Sequence, residues 1–209
     1  MEMFIADTHL GHESILSECR PQFSSVDEMD ETIIRNINRR MTRKDTLYIV
    51  GDFSFRSRRS PIEYLEAIKP KKVLIRGNHD KDWLRHMNDE ERRKYFVGIH
   101  EQYSIKKNGI ELHFNHFPQL AWNRSHFFAQ TFMICGHIHS RRDGTVAARL
   151  FSQVPCQFNA GVDVNHFEPV TLEELVENND RFYGRVYTDE EQALLTQGIQ
   201  RFLGHKDSH

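Results

Sequence analysis

The chain has 209 residues, of which 38% are apolar and 28% charged, and its net charge is −2. That balance excludes a disordered chain, supplies enough apolar mass for a real core, and gives no bulk attraction to nucleic acid or acidic membranes. Three cysteines (Cys19, Cys135 and Cys156) without CxxC spacing exclude a disulfide framework and fit a reducing compartment.

In chain order, Met3 to Ala6 reads as a short buried strand. The opening Met-Glu-Met-Phe-Ile-Ala-Asp has no basic leader, and no apolar run reaches the ~18 residues of a membrane helix, so we expect a soluble, cytoplasmic protein. Ser25-Val26-Asp27-Glu28 forms a capping box for a helix whose apolar positions (Met29, Ile33, Ile34, Ile37, Met41) keep helical spacing. Thr46 to Val50 is a second strand, ended by Gly51. Pro61 suits the first turn of a helix reaching about Ile68. Lys72 to Ile75 is a third strand, ended by Gly77, and Asp80 to about Lys94 is predicted helical.

The pattern then turns to strands. Gln102 to Lys106 and Ile110 to Asn115 flank Asn108-Gly109, a strong hairpin signal. Thr131 to Cys135 and Val154 to Ala160 are further strands, ended by Gly136 and Gly161. Thr171 and Thr188 open capping boxes for two helices, the second running to about Leu203. With no repeat or linker in view, a single domain over residues 1–209 is expected. Strand-helix alternation followed by strands and hairpins predicts an α/β layered fold, and in such folds ligands gather beyond the carboxyl ends of strands.

Short polar inserts stand at those ends. They are Asp7-Thr8-His9, Gly51-Asp52, Gly77-Asn78-His79-Asp80, His116 after Phe114-Asn115, and Gly136-His137-Ile138-His139. Each has an ordinary reading alone: a helix-capping Asp, a turn Asn, a satisfied core His. In series they supply three oxygen donors and four imidazoles without a thiolate. That set suits Mn, Fe, Zn, Ni or Co, exceeds what one tetrahedral ion needs, and fits two ions with open positions.

These five blocks, in this order, resemble the motif set of the calcineurin-like metallophosphoesterase superfamily, and most closely its small bacterial and phage phosphoesterases. The resemblance covers residues 1 to about 140, with Asn159 to Asp163 as the closing strand and turn. It implies a four-layer α/β/β/α sandwich of two mixed β-sheets flanked by helices. It also implies two divalent ions, manganese first among them, with Fe, Zn, Ni, Co or Mg as alternatives. Asp7, His9 and His139 would hold one ion and Asn78, His116 and His137 the other, with Asp52 bridging. His79 would contact a phosphate oxygen or the leaving group, and Asp80 would orient His79.

The implied reaction is hydrolysis of a phosphate ester by in-line attack of a hydroxide held between the ions. Phosphodiesters, including nucleotides or cyclic nucleotides, are favoured over monoesters because no large cap domain closes the site. His12 and Arg56 are further candidates for phosphate contact, each equally readable as a solvent-facing loop residue. The basic stretches Arg56 to Arg59 and Arg141-Arg142 are read either as solvated loops or as small anionic sites. Two other classes compete: a scaffold protein on the same fold, weakened by the complete ligand set, and a nuclease, weakened for long nucleic acid by the charge balance. Aromatic residues from Trp122 to Phe132 suit core packing or a dimer contact, and the sequence leaves the oligomeric state open.

Overall fold

The computed structural model describes residues 1–140 and 146–204, with the backbone alone at residues 147 and 148. The Arg141-Arg142 pair therefore lies outside the described residues. The strands are β1 (Glu2–Ile5), β2 (Thr46–Val50), β3 (Lys71–Ile75), β4 (Phe96–His100), β5 (Gln102–Lys107), β6 (Ile110–Asn115), β7 (Thr131–Cys135) and β8 (Gln157–Asn159). The helices are α1 (Ile15–Cys19), α2 (Val26–Arg40), α3 (Pro61–Ala67), α4 (Asp80–Leu84), α5 (Asp89–Tyr95), α6 (Val146–Gln153), α7 (Leu172–Tyr183) and α8 (Asp189–Leu203).

Two four-stranded sheets lie face to face, in the orders β1-β2-β3-β4 and β5-β6-β7-β8. The first is parallel throughout. The second is mixed, because the β5–β6 hairpin is antiparallel while β6–β7 and β7–β8 are parallel. This is the expected sandwich of two sheets flanked by helices, with one correction: only the second sheet is mixed, because each neighbour in the first is reached by a helical crossover and runs parallel.

Strand alternation explains the layers. In β1 and β2, Met3, Ile5, Leu47 and Ile49 face the helical layer and pack with Ile33 and Ile37 of α2 and Leu65 of α3. Phe4, Tyr48 and Val50 point the other way, into a core shared with Leu112, Phe114, Phe132 and Phe158 of the second sheet. Helices α7 and α8 add Leu175, Val176, Ile199 and Phe202 to that core. The first sheet is thus buried on both faces, as parallel sheets are. Single bridges from Ala6 to Gly161 and from Phe4 to Val170 tie β1 to the segment after β8. They bring Asp7 close to the loops that follow β7 and β8.

Several boundaries differ from the sequence reading. The single helix expected from Asp80 to Lys94 is two, because Asn88 and Glu91 form a capping box that starts α5 anew. The strand expected from Val154 shrinks to β8, since α6 runs to Gln153 and Pro155 cannot donate to a ladder. Helices α1 and α6 and strand β4 were not expected. The box at Ser25 is half formed: Ser25 accepts the Glu28 N–H, but the Glu28 carboxylate turns to Ser24. Trp122, Phe128 and Phe132 serve the core, while Phe127 stays exposed.

Candidate metal centre

The expected polar inserts converge on one end of the facing sheets. The loops after β1 and β2 run side by side, with the Asp7 and His9 N–H groups bonded to the Gly51 and Asp52 carbonyls at 3.0 Å each. Several of the converging residues adopt a left-handed backbone: Asp7 (φ 53°), His9 (47°), Asp52 (53°), His137 (72°) and His139 (49°). Non-glycine residues avoid this region, and such strain clusters at functional sites. Gly51 (φ +87°) is required for a second reason, because a Cβ there would lie 2.2 Å from His116 Nδ1.

Two donor groups result. Asp7, His9 and His139 bring ligand atoms within 4.8 Å of one another, and so do Asp52, His116 and His137. Asn78 joins the second group, its Oδ1 being 3.2 Å from His116 Nε2. Asp52 Oδ2 stands between them, 3.7 Å from His9 Nε2 and 3.4 Å from His116 Nε2. The backbone fixes both carboxylates: His137 N–H reaches Asp7 at 2.9 Å, and His79 N–H reaches Asp52 Oδ1 at 2.9 Å.

Among the described residues the buried ring of His9 has no hydrogen-bond partner at either nitrogen. Leaving such groups unmet is costly, and burial pushes the His9 pKa down to about 2, so the ring is neutral with a lone pair to give. The carboxylates carry the complementary signal. Burial lifts Asp7 to about 6 against the pull of His139 and His116. At Asp52, burial also acts upward, but the hydrogen bond and charge of His116 prevail and hold it near 2. Burial likewise opposes charge on His116 and His139, yet neighbouring carboxylates outweigh it and raise them to about 9 and 10. Carboxylates and imidazoles thus face one another at short range, the mixed oxygen and nitrogen donor set that suits divalent cations.

Outward ring nitrogens are held as ligands require. His116 Nδ1 donates to the Val50 carbonyl at 3.0 Å, leaving Nε2 toward Asp52. His139 Nδ1 bonds to Asp163 Oδ2 at 2.9 Å. Asp163 in turn takes a two-pronged ion pair from buried Arg20, at 2.8 and 3.1 Å. Cys19 lies 3.9 Å from Asp163 and 4.0 Å from His139. This second cluster already contains the guanidinium charge of Arg20, so it supports His139 rather than holding an ion of its own.

Sequence reasoning missed Asp163 as the His139 partner, and it missed Arg20. They are separated by 143 positions, and no local motif joins them. Asp80 needs a correction. Its carboxylate does not turn to the His79 ring: Oδ2 accepts from the Asp52 and Gly77 N–H groups at 2.8 Å each, and Oδ1 from Phe53 N–H and Trp83 Nε1 at 2.9 and 3.0 Å. Four donors fill a fully buried carboxylate, and burial raises its pKa against the opposing pull of those hydrogen bonds. Asp80 therefore clamps the Asp52 loop to the Asn78-His79 loop.

His79 is partly exposed, with Nε2 at 4.0 Å from Asp52 Oδ2. It lines a cavity of about 450 Å³ together with His9, His12, Asp52, Asn78 and His139. His12 thus belongs to this cavity, its Nε2 bonded to Ser14 at 2.8 Å. Arg56 does not. It lines a neighbouring cavity of about 360 Å³, into which His79 also faces. No helix among the described residues is long and apolar enough to cross a membrane.

Comparison with known proteins agrees with this geometry. The chain is 35% identical over 117 residues to an uncharacterized protein, MJ1445, of Methanocaldococcus jannaschii, covering 54% of this chain and 66% of that one. It is 35% identical over 80 residues to the gene 66 protein of Mycobacterium phage L5, covering 37% of this chain and 38% of that one. The match thus spans less than two thirds of either relative. A solved structure, a protein of unknown function (AQ665) from Aquifex aeolicus, superposes with a TM-score of 0.62 at 25% identity, covering 85% of this chain and 98% of that one. Residues 3–185 match the calcineurin-like phosphoesterase family, a family of metal-dependent phosphoester hydrolases, and with its two donor groups at the ends of two facing sheets this chain belongs to it.

Proposed function

We propose that this chain is a dinuclear phosphoesterase that hydrolyses phosphate esters, diesters ahead of monoesters. The observation that carries the reading is the buried His9 ring, unpartnered at both nitrogens, set between two donor groups. Asp7, His9 and His139 would hold one divalent ion, Asn78, His116 and His137 the other, and Asp52 would serve both. Donors of this kind accept several metals, and manganese is our first choice. When bound, such a pair supplies a water of lowered pKa and positive charge for the phosphoryl oxygens.

The chain's own residues do the rest. His79 stands at the lip of the cavity with its backbone tied to Asp52. From there its ring can give a proton to the departing ester oxygen, a contribution on the order of 10²–10⁴-fold. Asp80 keeps the Asp52 and His79 loops in register. His12 faces the same cavity and is placed to contact a phosphoryl oxygen. The preference for diesters is supported by the second cavity beyond His79, which leaves space on the far side of the phosphorus.

The test is hydrolysis of p-nitrophenyl phosphate and bis-p-nitrophenyl phosphate by metal-stripped protein given back Mn, Ni, Zn, Mg or nothing. Asp52→Asn serves as control. Metal-dependent turnover that favours the diester and vanishes in Asp52→Asn is the expected result. Two bound ions per chain without turnover of any ester, or no metal uptake, would overturn the reading.

A further inference from the structure

Among the described residues, His79 is the one that lines both cavities. Phe55 lies with its centroid 3.7 Å from that of His79 and 4.9 Å from that of His12. The second cavity therefore adjoins the donor groups across the His79 ring. The charge there is specific. Arg56 and Arg85 both line it, with His86 beside Arg85 (Nε to Nε2, 3.1 Å). Among the described residues Asp82 is the one acid in that lining.

Among the described residues neither Arg56 nor Arg85 forms an ion pair, whereas nearby Arg58 pairs with Glu13 and Arg92 with Asp89. The Arg56 guanidinium lies 4.9 Å over the Phe55 ring, and its backbone is left-handed (φ 48°). Its placement is therefore constrained rather than that of a free loop side chain. A volume of about 360 Å³ holds a sugar phosphate or an aromatic ring with an acidic substituent.

We propose that this second cavity is the leaving-group subsite, and that the leaving group it selects carries a negative charge of its own, as a phosphorylated alcohol or nucleotide does. The inference rests on the phosphoesterase reading above. Water adds to phosphorus, the ester P–O bond breaks, and the departing oxygen takes a proton beside His79. The second anion, on the same departing molecule, sits between Arg56 and Arg85. A phosphate or a carboxylate meets the same requirement, and a guanidinium binds either with charge-assisted hydrogen bonds.

The test uses two substrates whose 4-nitrophenyl leaving groups differ only at position 3, 3-carboxy-4-nitrophenyl methyl phosphate and its 3-carbamoyl analogue, in which that substituent is neutral. They are compared on the Mn-restored protein, on Arg85→Ala and on the charge reversal Arg85→Glu. The expected result is a kcat/KM ratio of acid to amide on the order of tenfold in the unaltered protein, falling to about one in Arg85→Ala and below one in Arg85→Glu. An independent readout is quenching of tryptophan fluorescence, to which Trp83 in the cavity lining contributes, by the free phenols in metal-free protein, where the acid should bind about tenfold more tightly than the amide and lose that margin in both variants.

Turnover of both substrates with a ratio near or below one, unchanged by Arg85, would sink the subsite while leaving the phosphoesterase standing. No turnover of either with metals bound would sink both. Arg85 is exposed at the end of α4, and an unchanged melting temperature confirms that its variants fold.

Discussion

At the scale of single residues, His79 and Asp80 are neighbours with opposite situations. The His79 ring is partly exposed and makes no hydrogen bond that the metal ligands depend on; only its backbone N–H holds Asp52. His79→Ala keeps that N–H. It should therefore retain its metal and its melting temperature while losing on the order of 10²–10⁴-fold in kcat. The loss should be largest for alkyl esters and smallest for p-nitrophenyl esters, whose leaving groups need little protonation. Metal analysis beside kinetics on both ester types checks it. An equal loss on good and poor leaving groups would remove His79 from the role of proton donor.

Between elements, the unit that sets the site is the pair of loops after β2 and β3, and Asp80 joins them. It ends four N–H groups that would otherwise be buried without acceptors. Asp80→Asn offers one acceptor oxygen and puts an NH₂ against donors, so two of those groups lose their partner at about 1–3 kcal/mol each. The variant should lower metal content and thermal stability along with activity. Had Asp80 oriented the His79 ring, metal content would be unchanged, and mass-spectrometric metal counting separates the two outcomes.

The same loops show what a sequence can and cannot reveal. Asp7, Asp52, Asn78 and His137 were legible because an apolar strand ends and a polar insert begins, a signal carried by neighbouring positions. The Thr171 and Thr188 boxes were legible for the same reason, and both are fully formed. Asp80 was visible as a residue but not in its role, because backbone N–H groups leave no trace in side-chain identity. The Arg20–Asp163–His139 chain was invisible, being assembled only when β1, α1 and the turn after β8 meet. The break at Asn88 was present in the sequence as Asn-Asp-Glu-Glu, but the polar periodicity of Asp80 to Lys94 masked it.

For the whole molecule, the packing of helices on the first sheet contains a titratable fault. Asp30 on α2 is 1% exposed, and it accepts the Gly11 N–H at 3.0 Å and the Tyr64 hydroxyl at 2.8 Å. It thereby ties the loop after β1 and helix α3 to α2. Burial raises its pKa from 3.8 to about 6 despite those two hydrogen bonds, which act downward. The folded chain therefore holds a proton that the unfolded chain has released, throughout the window from about 3.8 to 6. Where the native state binds more protons, stability falls as pH rises, and above the folded pKa the full cost of an ionised buried carboxylate is present.

Asp30→Asn removes that titration at little geometric cost. Its oxygen can accept from Gly11, and its NH₂ can donate to the Tyr64 oxygen, whose hydroxyl then turns to Ser57 Oγ at 3.0 Å. Urea unfolding of metal-free protein at pH 5 and pH 7 should show the unaltered chain losing about 1 kcal/mol more than the variant over that interval. The histidines and carboxylates of the metal centre titrate too, but identically in both proteins, so the difference isolates Asp30. Parallel stability curves for the two proteins would mean that Asp30 stays ionised in the native state across this range, with the Gly11 and Tyr64 hydrogen bonds outweighing its burial.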